Sequence, residues 1–189
     1  MQKYDVVLLV DAGLSDKERT VMTDEIEAML GKNILLKDEM GLQMLSYNLK
    51  DKAGNDKAYI YSYYVQAPAT DIADFKKQLV YNKAVKRYAI YCMDPNQEFF
   101  TFADIKAQLE KIIASREEKK LNQKLIFYTD KKNKKYINWK AIPMLKKYVT
   151  RFGNIKPRKY TGNNVSTQKK IREAILRARE LGLLAYVKE

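Results

Sequence analysis

Lys57-Ala58-Tyr59-Ile60-Tyr61-Ser62-Tyr63-Tyr64-Val65-Gln66 decides the fold of the N-terminal half. β-Branched and aromatic residues fill it without a breaker, so Ala58 to Gln66 reads as a strand. Tyr59, Tyr61, Tyr63 and Val65 fall on one face, and Ile60, Ser62 and Tyr64 on the other. The polar segment Asp51-Lys52-Ala53-Gly54-Asn55-Asp56 before it predicts a hairpin, whose other arm runs over Asn33 to Leu49 and is broken or bulged near Gly41. Further upstream, Tyr4 to Val10 is a short apolar strand. Ser15-Asp16-Lys17-Glu18 has the spacing of a reciprocal Ser/Glu helix cap, and Val21, Ile26, Met29 and Leu30 then recur at helical spacing until Gly31. Downstream, Thr70 is the expected N-cap of a helix to about Tyr81 with Ile72, Phe75 and Leu79 on its stripe, and Lys86 to Met93 is a last strand. The order βαββαβ predicts a ferredoxin-like domain, an antiparallel four-stranded sheet with two helices on one face and the other face open. Tyrosine-rich strands on an open face loosely echo an RNA recognition motif. Both glycines of that signature are missing, which favours tyrosines that cover a half-exposed sheet or a protein interface.

Charge divides the chain by position. Residues 1–112 carry 15 Lys+Arg against 17 Asp+Glu, a deficit of 2, whereas residues 113–189 carry 21 against 6, a surplus of 15. Folding does not need such a surplus, and its self-repulsion opposes compaction, so it points to a polyanionic partner. The break predicts two domains, 1–101 and 125–189, joined by a helical and charged linker over 102–124. In that linker Ile105, Leu109, Ile112 and Ile113 carry a helical pattern that dissolves, from about residue 114, into a charged stretch read as a solvated helix end or flexible tether.

Residue usage excludes much chemistry. A single cysteine, Cys92, leaves no intrachain disulfide, and the absence of His removes the common zinc sets and imidazole-based catalysis. Cys92 lies in the apolar run Tyr88-Ala89-Ile90-Tyr91-Cys92-Met93 and is expected to be a buried thiol. No glycine-rich phosphate loop occurs. Carboxylates such as Asp38 with Glu39, or Asp71 with Asp74, read as surface charges. No catalytic residue, metal or cofactor is therefore assigned, and no membrane or small-molecule substrate is expected as a partner. The N-terminus lacks the layout of a secretory signal and no stretch is long and apolar enough to span a bilayer, so a cytoplasmic protein is expected.

The basic half, 125–189, is predicted to be small and mainly helical. Asn138 is the expected N-cap of a helix from Trp139, with Pro143 in its early turns and Ile142, Leu145, Tyr148 and Val149 as its stripe, stopped by Gly153. The loop Asn154-Ile155-Lys156-Pro157-Arg158-Lys159-Tyr160-Thr161-Gly162 interleaves cations with an aromatic. Ser166 or Thr167 is the expected cap of a second helix to about Leu181, its stripe formed by Ile171, Ala174, Ile175 and Ala178, with Lys169, Lys170, Arg172, Arg177 and Arg179 around the opposite side. The expected core is Ile142, Leu145, Val149, Ile171, Ile175 and Leu184. The narrow Ala/Ile stripe suits packing on a neighbouring helix better than insertion into a membrane surface, which makes phosphate-backbone binding the better account of the cations. The candidate RNA-binding residues are Lys3, Arg87, Arg151, Lys156, Arg158, Lys159, Lys169, Lys170, Arg172, Arg177 and Arg179.

Two resemblances sharpen this reading. Tyr4-Asp5-Val6, then Glu39-Met40-Gly41-Leu42-Gln43-Met44-Leu45-Ser46-Tyr47, and Val85-Lys86-Arg87-Tyr88 resemble the bacterial small-subunit ribosomal protein six family over residues 1 to about 94. Tyr136-Ile137-Asn138-Trp139-Lys140, Gly153-Asn154-Ile155-Lys156-Pro157-Arg158-Lys159 with Thr161-Gly162, Gln168-Lys169-Lys170, Ala174-Ile175-Leu176-Arg177-Ala178-Arg179 and Leu183-Leu184-Ala185-Tyr186-Val187 resemble small-subunit ribosomal protein eighteen. Many members of that family carry a Cys-x-x-Cys where Ile126-Phe127-Tyr128-Thr129 stands, so no metal site is expected; Asn138 and Ala185 are further departures. The resemblances imply partners that form a heterodimer on the central domain of small-subunit rRNA, at the platform. A fusion of the two would be a structural, ribosome-associated protein whose halves dock on each other, with rRNA and neighbouring ribosomal proteins as partners. A free-standing RNA-binding regulator, such as one that binds its own messenger, is the alternative class. A phosphoryl- or nucleotide-acting enzyme rests on fold analogy alone.

Overall fold

The computed structural model describes residues 1–49, 56–117 and 134–187, with the backbone path only over 112–117. The turn expected over 51–55, the stripe residues Ile112 and Ile113, the tether from 118 to 124 and the opening of the basic half, 125–133, lie outside the described residues. Contacts divide the chain into two compact units, Met1–Phe99 and Phe100–Glu189.

The first unit runs β1 (Gln2–Asp11), α1 (Asp16–Leu30), β2 (Ile34–Met44), β3 (Lys57–Ala67), α2 (Ala69–Tyr81) and β4 (Val85–Met93). Its sheet is antiparallel throughout, in the order β2-β3-β1-β4. This is the predicted ferredoxin-like α+β arrangement. β1 holds a central position because Val6, Val7, Leu8, Leu9 and Val10 are all fully buried, and a run apolar on both faces must be covered on both. Each such side chain contributes about 1.5–3 kcal/mol by leaving water. The bulge expected near Gly41 is present, as a register shift between Glu39 and Gly41 on β2. At φ +69°, Gly41 adopts a left-handed backbone that a side chain resists.

Several expectations change. Tyr61, Tyr63 and Val65, with the half-buried Tyr59, face the helices and join Met22, Ile26, Ile72, Phe75 and Leu79 in the core. The opposite face of β3 is not open either, since Ala58, Ile60, Ser62 and Tyr64 are fully buried and Tyr64 packs on Phe99 at 4.7 Å between ring centroids. On α1 the buried residues are Met22, Thr23, Ile26 and Leu30, whereas Val21 and Met29 are exposed; the stripe is rotated from the one expected because it must meet the sheet rather than follow the largest apolar side chains. The Ser15/Glu18 cap forms in both directions. α2 begins two residues earlier than expected, with Pro68 rather than Thr70 at the N-cap, so Thr70 is inside the helix. β2 ends at Met44 rather than Leu49. Cys92 is exposed, because it lies near the end of β4, an edge strand, where its thiol accepts a hydrogen bond from Gln2 Nε2 at 3.0 Å.

The second unit contains α3 (Phe102–Glu117), α4 (Ile142–Lys147), the single turn α5 (Arg158–Thr161) and α6 (Val165–Glu180). Thr101 and Asp104 cap α3 reciprocally, as Ser15 and Glu18 do α1. α4 starts at Ile142 rather than Trp139, and Asn138 is not its N-cap. A helix begun at Trp139 would put Pro143, which has no N–H, where a bond back to Trp139 is required; placed second in the helix it costs nothing. Asn164, not Ser166 or Thr167, caps α6, accepting a bond from the Thr167 amide at 2.8 Å. Ile171, Ala174, Ile175 and Ala178 are buried as expected, and α4 packs on α6. The core is larger than predicted. Leu145, Ile171, Ile175 and Leu184 belong to it, Ile142 and Val149 are only half-buried, and Trp139, Met144, Tyr148, Leu181 and Leu183 complete it.

Candidate nucleic-acid interface

The cationic surface of the second unit is built around a folded-back strand pair that sequence periodicity does not show. After α4, Val149 bridges Ile155 antiparallel, with Thr150 N to Asn154 O at 2.8 Å and Lys156 N to Tyr148 O at 2.8 Å. The turn between them, 150–153, closes on Gly153 at φ +91°. Pro157 then fixes the entry to α5, whose amides at Tyr160 and Thr161 bond the Pro157 carbonyl at 3.0 and 3.2 Å. The segment expected to be a basic loop is thus pinned at both ends by backbone hydrogen bonds.

The candidate cations separate into two groups by position. Arg151, Arg158, Lys159, Lys169, Lys170 and Arg172 are exposed, spread over the turn, α5 and the outer side of α6. Arg177 is half-buried, and Lys156 folds back so that its ammonium donates to the Lys147 carbonyl at 2.9 Å. Arg179 does not lie on the outer side. It is 8% exposed, donates to the Gly153 carbonyl and sits 5.7 Å from the Tyr186 ring centroid. At 100° per residue it falls beside Ile171 and Ile175, at i+8 and i+4, which places it at the margin of the buried stripe. Arg179 thus clamps α6 to the turn. The two cations from the first unit are also engaged: Lys3 donates to the Pro95 carbonyl at 2.7 Å and lies over Phe99, and Arg87 bonds the Tyr47 hydroxyl at 2.9 Å.

One signal in the sequence strengthens the interface. No Asp or Glu occurs from residue 131 to 172, a run with 14 Lys+Arg, and over 134–187 there are 14 cations against 2 acids, a surplus of 12. So few acids leave most of these cations without a carboxylate nearby in sequence, and their potential adds over the surface. The groove of the first unit is different. About 410 Å³ in size and lined by Asp16, Arg19, Asp24, Lys37, Glu39, Tyr59 and Tyr61, it neutralises itself: Arg19 stacks 3.7 Å from the Tyr59 ring, and Lys37 pairs with Glu27 at 2.7 Å and Glu39 at 3.1 Å. Burial alone would lower the Lys37 pKa, but the hydrogen bonds to Glu27 and Glu39 outweigh it and raise it, so the ammonium stays charged. Among the described residues, no three His, Cys, Asp or Glu side chains are grouped to hold a metal, and no helix is long and apolar enough to cross a membrane.

Comparisons with known proteins agree with this division. The family model described as Ribosomal protein S6 matches residues 3–92, and that described as Ribosomal protein S18 matches residues 133–184. Small ribosomal subunit protein bS18 of Mycoplasma capricolum is 40% identical over 67 residues, covering 35% of this chain and 89% of that protein. The protein of the same name from Alkaliphilus metalliredigens is 41% identical over 75 residues, covering 39% and 96%. A crystal structure of 30S ribosomal protein S6 from Thermotoga maritima aligns over 61% of this chain and 97% of its own, with a TM-score of 0.45 and 11% identity, a likeness too loose to carry an argument. Through its basic half the chain belongs to the ribosomal protein S18 family, and with the S6 region ahead of it in the same polypeptide it is an S6–S18 fusion, a structural protein of the small ribosomal subunit.

Proposed function

We propose that this protein stabilises the folded central domain of small-subunit rRNA, at the platform, through phosphate contacts made mainly by its second unit, with the two halves acting as a tethered heterodimer. The observation that carries the reading is the exposed cationic surface of the turn, α5 and the first half of α6, within a run from 131 to 172 that has no acid, in a chain of the S18 family. Arg158, Lys159, Lys169, Lys170 and Arg172 reach solvent from a hydrogen-bonded backbone, so little backbone freedom is lost when they meet phosphates. Arg151 and Arg177 extend that surface; Lys3, Arg87, Lys156 and Arg179 support it through the internal contacts described above. Opposed charge in the two halves favours docking of one on the other, and a tether raises their effective concentration to about millimolar.

The test is salt-dependent binding of the full chain to small-subunit rRNA. If about 6 to 10 phosphates are neutralised, affinity falls by roughly 10³ to 10⁵ between about 50 and 200 mM salt, taking the duplex-DNA relation as a guide. Replacing Arg158, Lys159, Lys169 and Arg172 by Ala flattens that slope. Binding that ignores salt, or a variant indistinguishable from the parent, refutes the proposal.

A further inference from the structure

Phosphate contacts leave two features of the interface without a role. Phe152 is 58% exposed and Tyr160 is 64% exposed, one in the turn that carries Arg151 and the other in the α5 turn that carries Arg158 and Lys159. Isolated exposed apolar residues are ordinary on protein surfaces. These two differ in their setting. Both lie inside the run from 131 to 172 that has no acid, and both are on backbone held by hydrogen bonds on either side, through Gly153 N to Thr150 O at 3.0 Å and Tyr160 N to Pro157 O at 3.0 Å. The Arg151 guanidinium lies 4.6 Å from the centroid of the Phe152 ring, so one face of that ring is already occupied by a cation while more than half of its surface stays in water.

A rigid, exposed ring beside a fixed cation is suited to one type of ligand group, a flat aromatic attached to an anion. A nucleotide offers both, its base to the ring and its phosphate to the neighbouring Arg or Lys. Bases within a duplex are stacked on each other and present only their edges, whereas bases in loops, bulges and single strands can leave the stack. We propose that Phe152 and Tyr160 are stacking platforms for unpaired bases of the bound RNA, so that the protein recognises irregular, non-duplex elements rather than any phosphate backbone. The inference rests on the RNA-binding reading above and adds to it a preference that charge alone does not confer. The Arg151 guanidinium covers one face of Phe152 and leaves the other to a base, so the cation and the ring can meet one nucleotide together.

The two kinds of contact separate by their response to salt. Phosphate contacts release counterions and set the slope of log affinity against log salt; stacking releases few and sets the height of the line. The experiment compares the full chain with its F152L/Y160L variant in binding small-subunit rRNA and a perfectly paired RNA duplex over a salt series, with amide exchange in α6 as the folding control. Expected is a loss of roughly 5- to 100-fold per ring for rRNA at every salt concentration, an unchanged slope, and little change for the duplex. Unchanged rRNA affinity of a folded variant overturns stacking and leaves the phosphate reading intact, whereas salt-insensitive binding by the parent chain removes the reading on which both depend. Equal losses for duplex and rRNA also overturn the proposal, as does a variant whose only defect is in binding anionic phosphatidylglycerol vesicles. Ultraviolet crosslinking of the unaltered chain to rRNA gives a second measurement that needs no variant: adducts at Phe152 or Tyr160 support stacking, and adducts confined to other residues refute it.

Discussion

Gly153→Ala tests whether the folded-back turn holds the second unit together. Gly153 has φ +91°, and a Cβ built there would lie 2.7 Å from the Tyr186 carbonyl oxygen and 3.1 Å from Val187 Cα. The left-handed backbone alone costs an alanine about 1–2 kcal/mol. Both clashing atoms are main chain, so the 186–187 segment has to shift, which also loosens Arg179 on the Tyr186 ring, a contact of about 0.5–1 kcal/mol. The expected destabilisation is about 2–4 kcal/mol. Gly41→Ala is the control, because Gly41 has a similar φ of +69° but nothing within 4 Å of the added carbon, and should cost only the backbone share, about 1–2 kcal/mol. Trp139 is the single tryptophan and is buried in the second unit, so its fluorescence during urea unfolding reports that unit directly. Amide exchange in β2 and β3 reads the control. A Gly153→Ala protein that unfolds within about 0.5 kcal/mol of the parent would show that the turn and the C-terminal segment do not press on each other, and the clamp role assigned to Arg179 would fall with it.

Arg179→Ala should lower the stability of the second unit by about 2–4 kcal/mol through a lost buried partner for the Gly153 carbonyl, yet leave the salt slope of rRNA binding unchanged; Arg158→Ala with Lys159→Ala should do the reverse. Ser15→Ala should weaken α1 by about 1 kcal/mol, seen as faster amide exchange in its first turns. The Ser15 hydroxyl, and then its backbone amide, lower the Glu18 pKa, so the cap is complete above the ordinary glutamate range and lost as pH falls through the depressed value; a carboxyl titration at Glu18 by NMR that shows no depression in the parent, or one undiminished in Ser15→Ala, contradicts this. Cys92 should react with a thiol reagent in the native chain nearly as fast as in urea, whereas a buried thiol would react only on unfolding. Amide protection in α6 should rise when rRNA is added to the intact chain, since a ligand that binds only the folded form stabilises it.

The fold of the first half was legible because its signals are local and agree with each other: a capping pair at Ser15 and Glu18, a bulge glycine at Gly41, strand-length apolar runs and the stripe Ile72, Phe75, Leu79. What failed was depth. Alternation separates the two faces of β3 but does not say how much each is covered, so it does not reveal that Tyr59, Tyr61 and Tyr63 lie under the helices. Cys92 misled for the converse reason, since an apolar run does not reveal that its strand is an edge. In the second half, apolar spacing found the stripe of α6 but could not place the Val149–Ile155 bridge, formed by two residues brought together by a turn. Charge had the same limit. Composition identified the cationic half, while burial alone separated Arg179, a clamp, from Arg172, a free end on the surface.

The position of β1 has a consequence for synthesis. It is made before both of its partners, pairing on one side with β3 and on the other with β4, the last strand of the unit. Its five buried residues, Val6 to Val10, therefore lack a strand on one side until residue 93 has emerged from the translating ribosome. At about 5–20 residues per second, that exposure lasts roughly 5–20 s. Such a segment is apolar, β-prone and uncharged, and while it waits it is a target for chaperones or for the same strand of a neighbouring nascent chain. The S18 region follows only after this wait, so an N-terminal unit already closed can be in place before the basic half begins to meet RNA.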